Sequence, residues 1–321
     1  MDQNQRLRAK YRKMPKGYYH LCTDGKLCKC LFYCPAHFAF VINTLAIIAA
    51  KYDVIIYAYE VMPSHLHLLV SCTGNTCVEI FDFLMRRIVA MLEEDGYPRP
   101  PEEYYFKLIP IENAASMRSL YVYLARNPYE KGYCLPTSYR WGTGRLAYSN
   151  ITDLIKGKKV SEFSRRELSK LLRSKEELPG DWLINPEIGV LPQCFVNTGK
   201  FYELFPTAKQ WLTMLVKDYE ASIHIAKSVD EDMEFSDTET DDIVNNLVTK
   251  EFRKASLSAM TTPELLRLAG LMHSRYNMKA EDIAATLGLP LKVISQSLRS
   301  KDYGVTAPSP APPRSHFCPK T

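Results

Sequence analysis

The chain has 321 residues, of which 46% are hydrophobic and 24% charged, and its net charge is +5. These proportions are ordinary for a globular protein with a sizeable core, and the length allows two domains or one domain with additions. No apolar run reaches the roughly 18 residues that a membrane span needs, and the polar, basic start lacks the apolar centre of a signal peptide, so a cytoplasmic protein with no membrane partner is expected. Nine cysteines, an odd number scattered along the chain, fit reduced thiols better than a disulfide framework. Cys28, Cys30 and Cys34 match no standard zinc spacing and are read as ordinary buried or strand cysteines.

Charge is unevenly spread. The first 16 residues carry six Lys or Arg against one acid, residues 156–175 carry eight against two, and residues 229–242 carry eight acids and no base. Two basic stretches point to a polyanion, and the acidic one to a solvated linker.

In chain order, residues 18–23 read as a strand, Asp24-Gly25 as a turn and residues 27–33 as a second short strand. Residues 35–51 are apolar almost throughout and predict a largely buried helix. Residues 54–62 are rich in Val, Ile and Tyr and predict a strand, which Pro63-Ser64 breaks before a further strand at 65–71. Residues 77–94 carry Ile80, Phe83, Leu84 and Ile88 at helical spacing. Residues 104–111 predict a strand, and residues 114–127 a helix ended by Pro128. The order is that of the split βαβ, ferredoxin-like fold with one added helix: an α+β domain whose antiparallel sheet is backed by helices on one face, leaving the other face for a ligand or nucleic acid.

The domain expected over 1–150 is followed by a basic mixed extension over 151–228, an acidic linker over 229–242, a mostly helical region over 243–305 and a disordered proline-rich tail over 306–321. Within the helical region, residues 280–287 and 291–299 flank Gly288-Leu289-Pro290, the pattern of a helix-turn-helix DNA-binding domain. Ile283, Ala284, Leu287, Val293, Ile294 and Leu298 would form its buried seam, and Lys292, Ser295, Gln296 and Arg299 its outer face. A small helical packing domain is the plainer alternative.

Two constellations carry chemistry. His65 and His67 are two apart on a strand, so they point to one face and can clamp a divalent metal, while Leu66, Leu68 and Val70 point to the other. Tyr123 and Asn127 are four apart on the last helix and share a face, so Asn127 can add an oxygen ligand. Tyr121 continues the apolar stripe of Met117, Leu120 and Leu124 and reads as a core tyrosine. Among 20 tyrosines, spacing alone does not single out Tyr123.

The run Tyr57-Ala58-Tyr59-Glu60-Val61-Met62-Pro63-Ser64-His65-Leu66-His67-Leu68-Leu69-Val70 resembles the HUH strand of single-tyrosine transposases, most closely the REP-associated tyrosine transposases. Tyr123-Leu124-Ala125-Arg126-Asn127-Pro128, followed by Gly132, resembles that family's tyrosine helix, and Ser138-Tyr139-Arg140-Trp141, ending near Tyr148, its closing segment. The resemblance covers residues 15–150. It implies an HUH fold in which His65 and His67 bind the metal, Asn127 assists and Tyr123 attacks DNA, leaving a 5′-phosphotyrosine and a free 3′-hydroxyl. Ala125 stands where many members have His, and Tyr104-Tyr105-Phe106 occupies the region of their Trp-Gln segment.

A tyrosine of ordinary pKa near 10 is a poor nucleophile unaided, and Mg²⁺ or Mn²⁺ would polarise the scissile phosphate. The expected partner is single-stranded or hairpin DNA, held by Arg6, Arg8, Lys10, Lys156, Lys158, Lys159, Arg165, Arg166, Lys292, Gln296 and Arg299. A homodimer is left open. A rolling-circle or conjugative HUH nickase and a non-catalytic DNA-binding regulator are the alternative readings.

Overall fold

The computed structural model describes residues 3–131, 133–148, 156–217, 237–299 and the single positions 223, 225, 227, 233 and 235. Gly132, most of the acidic stretch before residue 237 and the tail over 306–321 lie outside the described residues. The chain divides into two compact units, Met1–Glu234 and Phe235–Thr321.

The first unit opens with α1 (Gln3–Arg12), then β1 (Gly17–Thr23), α2 (Pro35–Lys51), β2 (Ile55–Val61), β3 (Leu66–Cys72), α3 (Gly74–Glu94), β4 (Phe106–Pro110) and α4 (Ala114–Glu130). Local chemistry sets several of these boundaries. Pro35 lies at the start of α2, where a missing N–H costs nothing. Thr73 and Asn113 cap α3 and α4 by accepting from the backbone N–H groups of Thr76 and Ser116. Between residues 27 and 33, where the composition suggests a strand, there is none. The N–H groups of Leu31 and Phe32 both turn to the carbonyl of Pro63, so this segment lies against the β2–β3 turn and cannot join a ladder. Cys28, Cys30 and Cys34 sit half-buried there as free thiols.

The four strands form one antiparallel sheet in the order β2-β3-β1-β4. In the register His67 stands opposite both Cys22 and Glu60, His20 opposite both Leu69 and Ile109, and Cys22 opposite Lys107. Paired residues share a face. One face therefore carries His20, Cys22, Glu60, His67 and Lys107. The other carries Tyr19, Leu21, Tyr59, Val61, Leu66, Leu68, Val70 and Leu108, buried with the apolar sides of α2 and α3. Fully burying each such side chain contributes about 1.5–3 kcal/mol.

The polar face is not left open. Helix α4 packs against it, so helices cover both sides of the sheet. Pro128 does not end α4 either; the helix continues to Glu130 with the proline inside. An interior proline costs about 3 kcal/mol, and the nearly continuous burial of α4 from Leu120 to Pro128 offsets it.

The extension holds α4 and the sheet edge in place. Its elements include β5 (Lys158–Lys159), α5 (Arg165–Leu172), β6 (Leu183–Asn185), β7 (Gly189–Val190), α6 (Gly199–Leu204) and α7 (Ala208–Lys217). β5, β6 and β7 form a small antiparallel sheet. The side chain of Asn43 in α2 accepts from Val190 N–H at 2.8 Å and donates to Leu171 O at 3.4 Å. Two segments cover β2, an outer strand that would otherwise expose unpaired backbone. Val61 N–H donates to Trp141 O at 3.0 Å and Thr143 N–H to Tyr59 O at 2.9 Å, while Asn197 N–H donates to Ile56 O at 2.8 Å. Against the outer side of α4, the buried Arg126 pairs with Glu130 at 3.0 Å and donates to Leu215 O of α7 at 2.5 Å.

The second unit contains α8 (Asp237–Glu251), α9 (Thr262–Tyr276), α10 (Ala280–Leu287) and α11 (Leu291–Arg299). α8 begins within the acidic stretch, with Asp237 and Glu239 in its first turn, where the helix dipole favours negative charge. Ile243, Val244, Leu247, Leu268, Met272, Ile283 and Ile294 are buried in this unit.

Candidate active site

β1, β3 and α4 bring a group of polar side chains to one buried place. His65 precedes β3 and shares reciprocal backbone hydrogen bonds with Met62 across the Pro63-Ser64 turn, so the strand alternation already applies to it. His65 and His67 consequently lie side by side, their rings edge-on with centroids 4.9 Å apart. The turn is fixed from outside. Thr23 Oγ1 accepts from Leu66 N–H at 3.0 Å and shares a hydrogen bond with Tyr104 Oη at 2.7 Å, and Tyr104 Oη lies 3.2 Å from Ser64 O. Gly25 passes so close that a Cβ there would lie 2.7 Å from Nδ1 of His65.

His20, which the sequence reading did not single out, is central. Its Nε2 lies 3.1 Å from Nδ1 of His67. On the other side of His67, Asn127 Nδ2 lies 3.4 Å from Nε2. His67 is thus held between His20 of β1, at Nδ1, and Asn127 of α4, at Nε2. Tyr123 completes the group: its ring centroid is 5.4 Å from that of His67 and 6.2 Å from that of His20. His67, Tyr123 and Asn127 are 0%, 1% and 2% exposed.

Tyr121, two residues earlier, faces away. Its ring packs edge-on against Phe201 and Phe205 of the extension, and burial raises its pKa.

The donors suit a metal ion. Ligand atoms of His20, Cys22 and His67 all lie within 4.8 Å of one another. Burial first, then His65 and Lys131, holds the His67 imidazole well below its ordinary pKa. It is neutral, the form that binds a metal. His65 stands beside this cluster rather than within it. His20 and Cys22 escaped detection because their nearness to His67 depends on the register of β1 against β3.

Glu60, opposite His67 on the same face, is 1% exposed, and neither carboxyl oxygen has a hydrogen-bond partner among the described residues. Its carboxyl fills the space where a Cβ on Gly142 would stand, so any larger residue at 142 would displace it. Burial alone raises its pKa well above the ordinary carboxyl value. The folded chain thus keeps a proton that the unfolded chain releases above its pKa of about 4.3, and stability falls as pH rises from there toward the folded-state pKa. Glu60→Gln should therefore stabilise the fold by about 1–3 kcal/mol near pH 8 and by less near pH 4.5. Thermal unfolding at the two pH values checks this, and an equal effect at both would contradict it.

The candidate DNA-contacting cations sit on separate elements. Arg6 and Lys10 are exposed on α1, whereas Arg8 forms an ion pair with Asp82 and lies over the Tyr105 ring. Lys156, Lys158, Lys159, Arg165 and Arg166 are exposed on the extension, and Lys292, Gln296 and Arg299 are exposed on α11. No described helix is long and apolar enough to cross a membrane.

Fold and site together define an α+β protein with a four-stranded antiparallel sheet and a buried His-Cys-His cluster that could hold a metal. No family model matches the sequence, and no curated protein matches it. Among solved structures the chain is similar to one described as "Structure of the REP associates tyrosine transposase bound to a REP hairpin". The likeness has 14% sequence identity and a TM-score of 0.32, over 40% of this chain and 78% of that one.

Proposed function

We propose that the domain over residues 1–150 is a ferredoxin-like HUH domain and that the protein is a metal-dependent single-tyrosine DNA strand transferase. The observation that carries this reading is the packing of the Tyr123 ring against His67, with Asn127 on the far side of that imidazole. A nucleophilic hydroxyl and a neutral metal-binding nitrogen then share one water-excluded face.

In this reading the Tyr123 hydroxyl attacks the scissile phosphorus. An O–P bond forms at Tyr123, the P–O3′ bond breaks, the phenolic proton is lost and the 3′ oxygen gains one. The 5′-phosphate stays on Tyr123, so the strand can be rejoined without ATP. His67, with the adjacent His65 and the amide oxygen of Asn127 turned toward the ion, would hold Mg²⁺ or Mn²⁺, while His20 and Cys22, the donors nearest His67, would flank its ring. A bound ion would polarise the phosphate and stabilise the charge developing on it. Tyr123 and His67 are 1% and 0% exposed, so the scissile phosphate would reach them only through a local opening that leaves Tyr123 beside His67.

The test is cleavage of an end-labelled single-stranded hairpin with Mn²⁺ or Mg²⁺. Cleavage should stop with EDTA and return with added ion, and full activity in EDTA would refute the metal's part.

The exposed cations of α1 and the extension would hold phosphates with little sequence preference. Replacing Lys158, Lys159, Arg165 and Arg166 by Gln should flatten the dependence of log affinity on log salt by roughly 0.7 per lost contact. An unchanged slope would mean that these residues are only solvated surface.

A further inference from the structure

We propose that the helical unit carries a second DNA site, one that reads double-stranded DNA by placing α11 in the major groove. The inference stands on this unit alone and needs nothing from the chemistry at Tyr123.

α10 and α11 are joined by a turn whose shape is fixed. Gly288 has φ +63°, in the left-handed region that favours glycine, and its N–H bonds back to the end of α10. Leu289 N–H reaches Ala284 O at 3.1 Å, and the carbonyl of Pro290 accepts from Val293 and Ile294 at 2.9 and 3.2 Å. Both helices pack on α9 as well as on each other. Ile294 and Ser297 of α11 are buried, which sets the rotation of the helix.

That rotation turns Lys292, Gln296 and Arg299 outward at i, i+4 and i+7, one continuous face. Leu291 and Val293 stand beside them, 43% and 37% exposed. α11 contains no acid. A helix that docks on another protein presents an apolar stripe along its length. Here the exposed stripe is Lys-Gln-Arg, and the exposed aliphatic groups, Leu291 and Val293, lie in the first turn, with Leu298 half-buried in the last. Gln pairs with adenine and an aliphatic group with the thymine methyl, and a groove about 12 Å wide admits one helix. Such helices meet base edges through their N-terminal residues.

Charge supports this partner at α11 alone. Over residues 237–299 eight Lys or Arg balance eight Asp or Glu. Overall attraction to phosphate is therefore weak, and discrimination must come from base contacts. Binding through Lys292 and Arg299 should show a salt slope of roughly −2, at about 0.9 per phosphate.

The full-length Tyr123→Phe chain, in EDTA, is used to select from a pool of blunt random duplexes. These conditions remove strand cleavage, so failure of the strand-transfer reading leaves the outcome untouched. A recurrent short motif should be enriched and bound at least about tenfold tighter than its scrambled version. Gln296→Ala should relax one position of the motif, and Gln296→Glu, which puts an acid against base edges, should abolish enrichment. These side chains are exposed, and unchanged thermal unfolding of both variants confirms that the unit stays folded. Absence of any motif, or the same motif with the same preference in both variants, overturns the proposal. In that event the α11 face belongs to a protein partner or to nothing.

Discussion

Replacing Tyr123 by Phe is expected to lower single-strand cleavage by on the order of 10³-fold or more, since removing a nucleophile leaves only binding and electrostatic assistance. The change deletes one oxygen from a ring 1% exposed, so fold and DNA affinity should survive. Tyr121→Phe is the matched control. Its ring faces Phe201 and Phe205, and its hydroxyl is buried with no hydrogen-bond partner among the described residues. Removing that hydroxyl should leave cleavage intact and the protein as stable or slightly more so. Rates on a labelled hairpin, with thermal unfolding of both variants, check the pair. Equal losses of cleavage would show that the two tyrosines serve only the packing of α4.

The second large effect is expected at the imidazoles. His67→Ala removes the nitrogen aimed at α4, and Mn²⁺ affinity, read from the free-ion EPR signal of the DNA-free protein, should fall by on the order of 100-fold. His20→Ala should weaken binding less, by about tenfold, because His20 orients the His67 ring. Unchanged affinity in His67→Ala would remove the metal from this site. Equal losses in both variants would instead make His20 a ligand, in keeping with its place in the His20-Cys22-His67 cluster.

What could be read from the sequence was whatever depends on short spacing. α2 occupies residues 35–51 as its apolar run predicts, and α10 and α11 fall where Gly288-Leu289-Pro290 predicts a break. The common face of His65 and His67 follows from strand alternation. What escaped depends on distant pairing. His20 looks like one histidine among apolar strand residues until β1 pairs with β3 and sets Cys22 opposite His67. α1 reads only as a basic stretch because its larger apolar residues, Leu7 and Tyr11, acquire meaning only where they pack on the rest of the core. Pro128 is a fair helix stop by local rules and fails here because both sides of α4 are buried. The closing of the polar face has the same origin. α4 is an ordinary amphipathic segment in sequence, and only its contacts with β2 and α7 place it across the site.

The most direct test of the central reading is to trap and map the covalent product. Wild-type protein is incubated with a 5′-flanked single-stranded hairpin and Mn²⁺, denatured and digested, and the DNA-linked peptide is sequenced by mass spectrometry. The reading predicts one adduct, a 5′-phosphate on the hydroxyl of Tyr123, with a free 3′-hydroxyl on the released strand. An adduct on Tyr121 or any other residue, or cleavage that leaves no adduct, would contradict it.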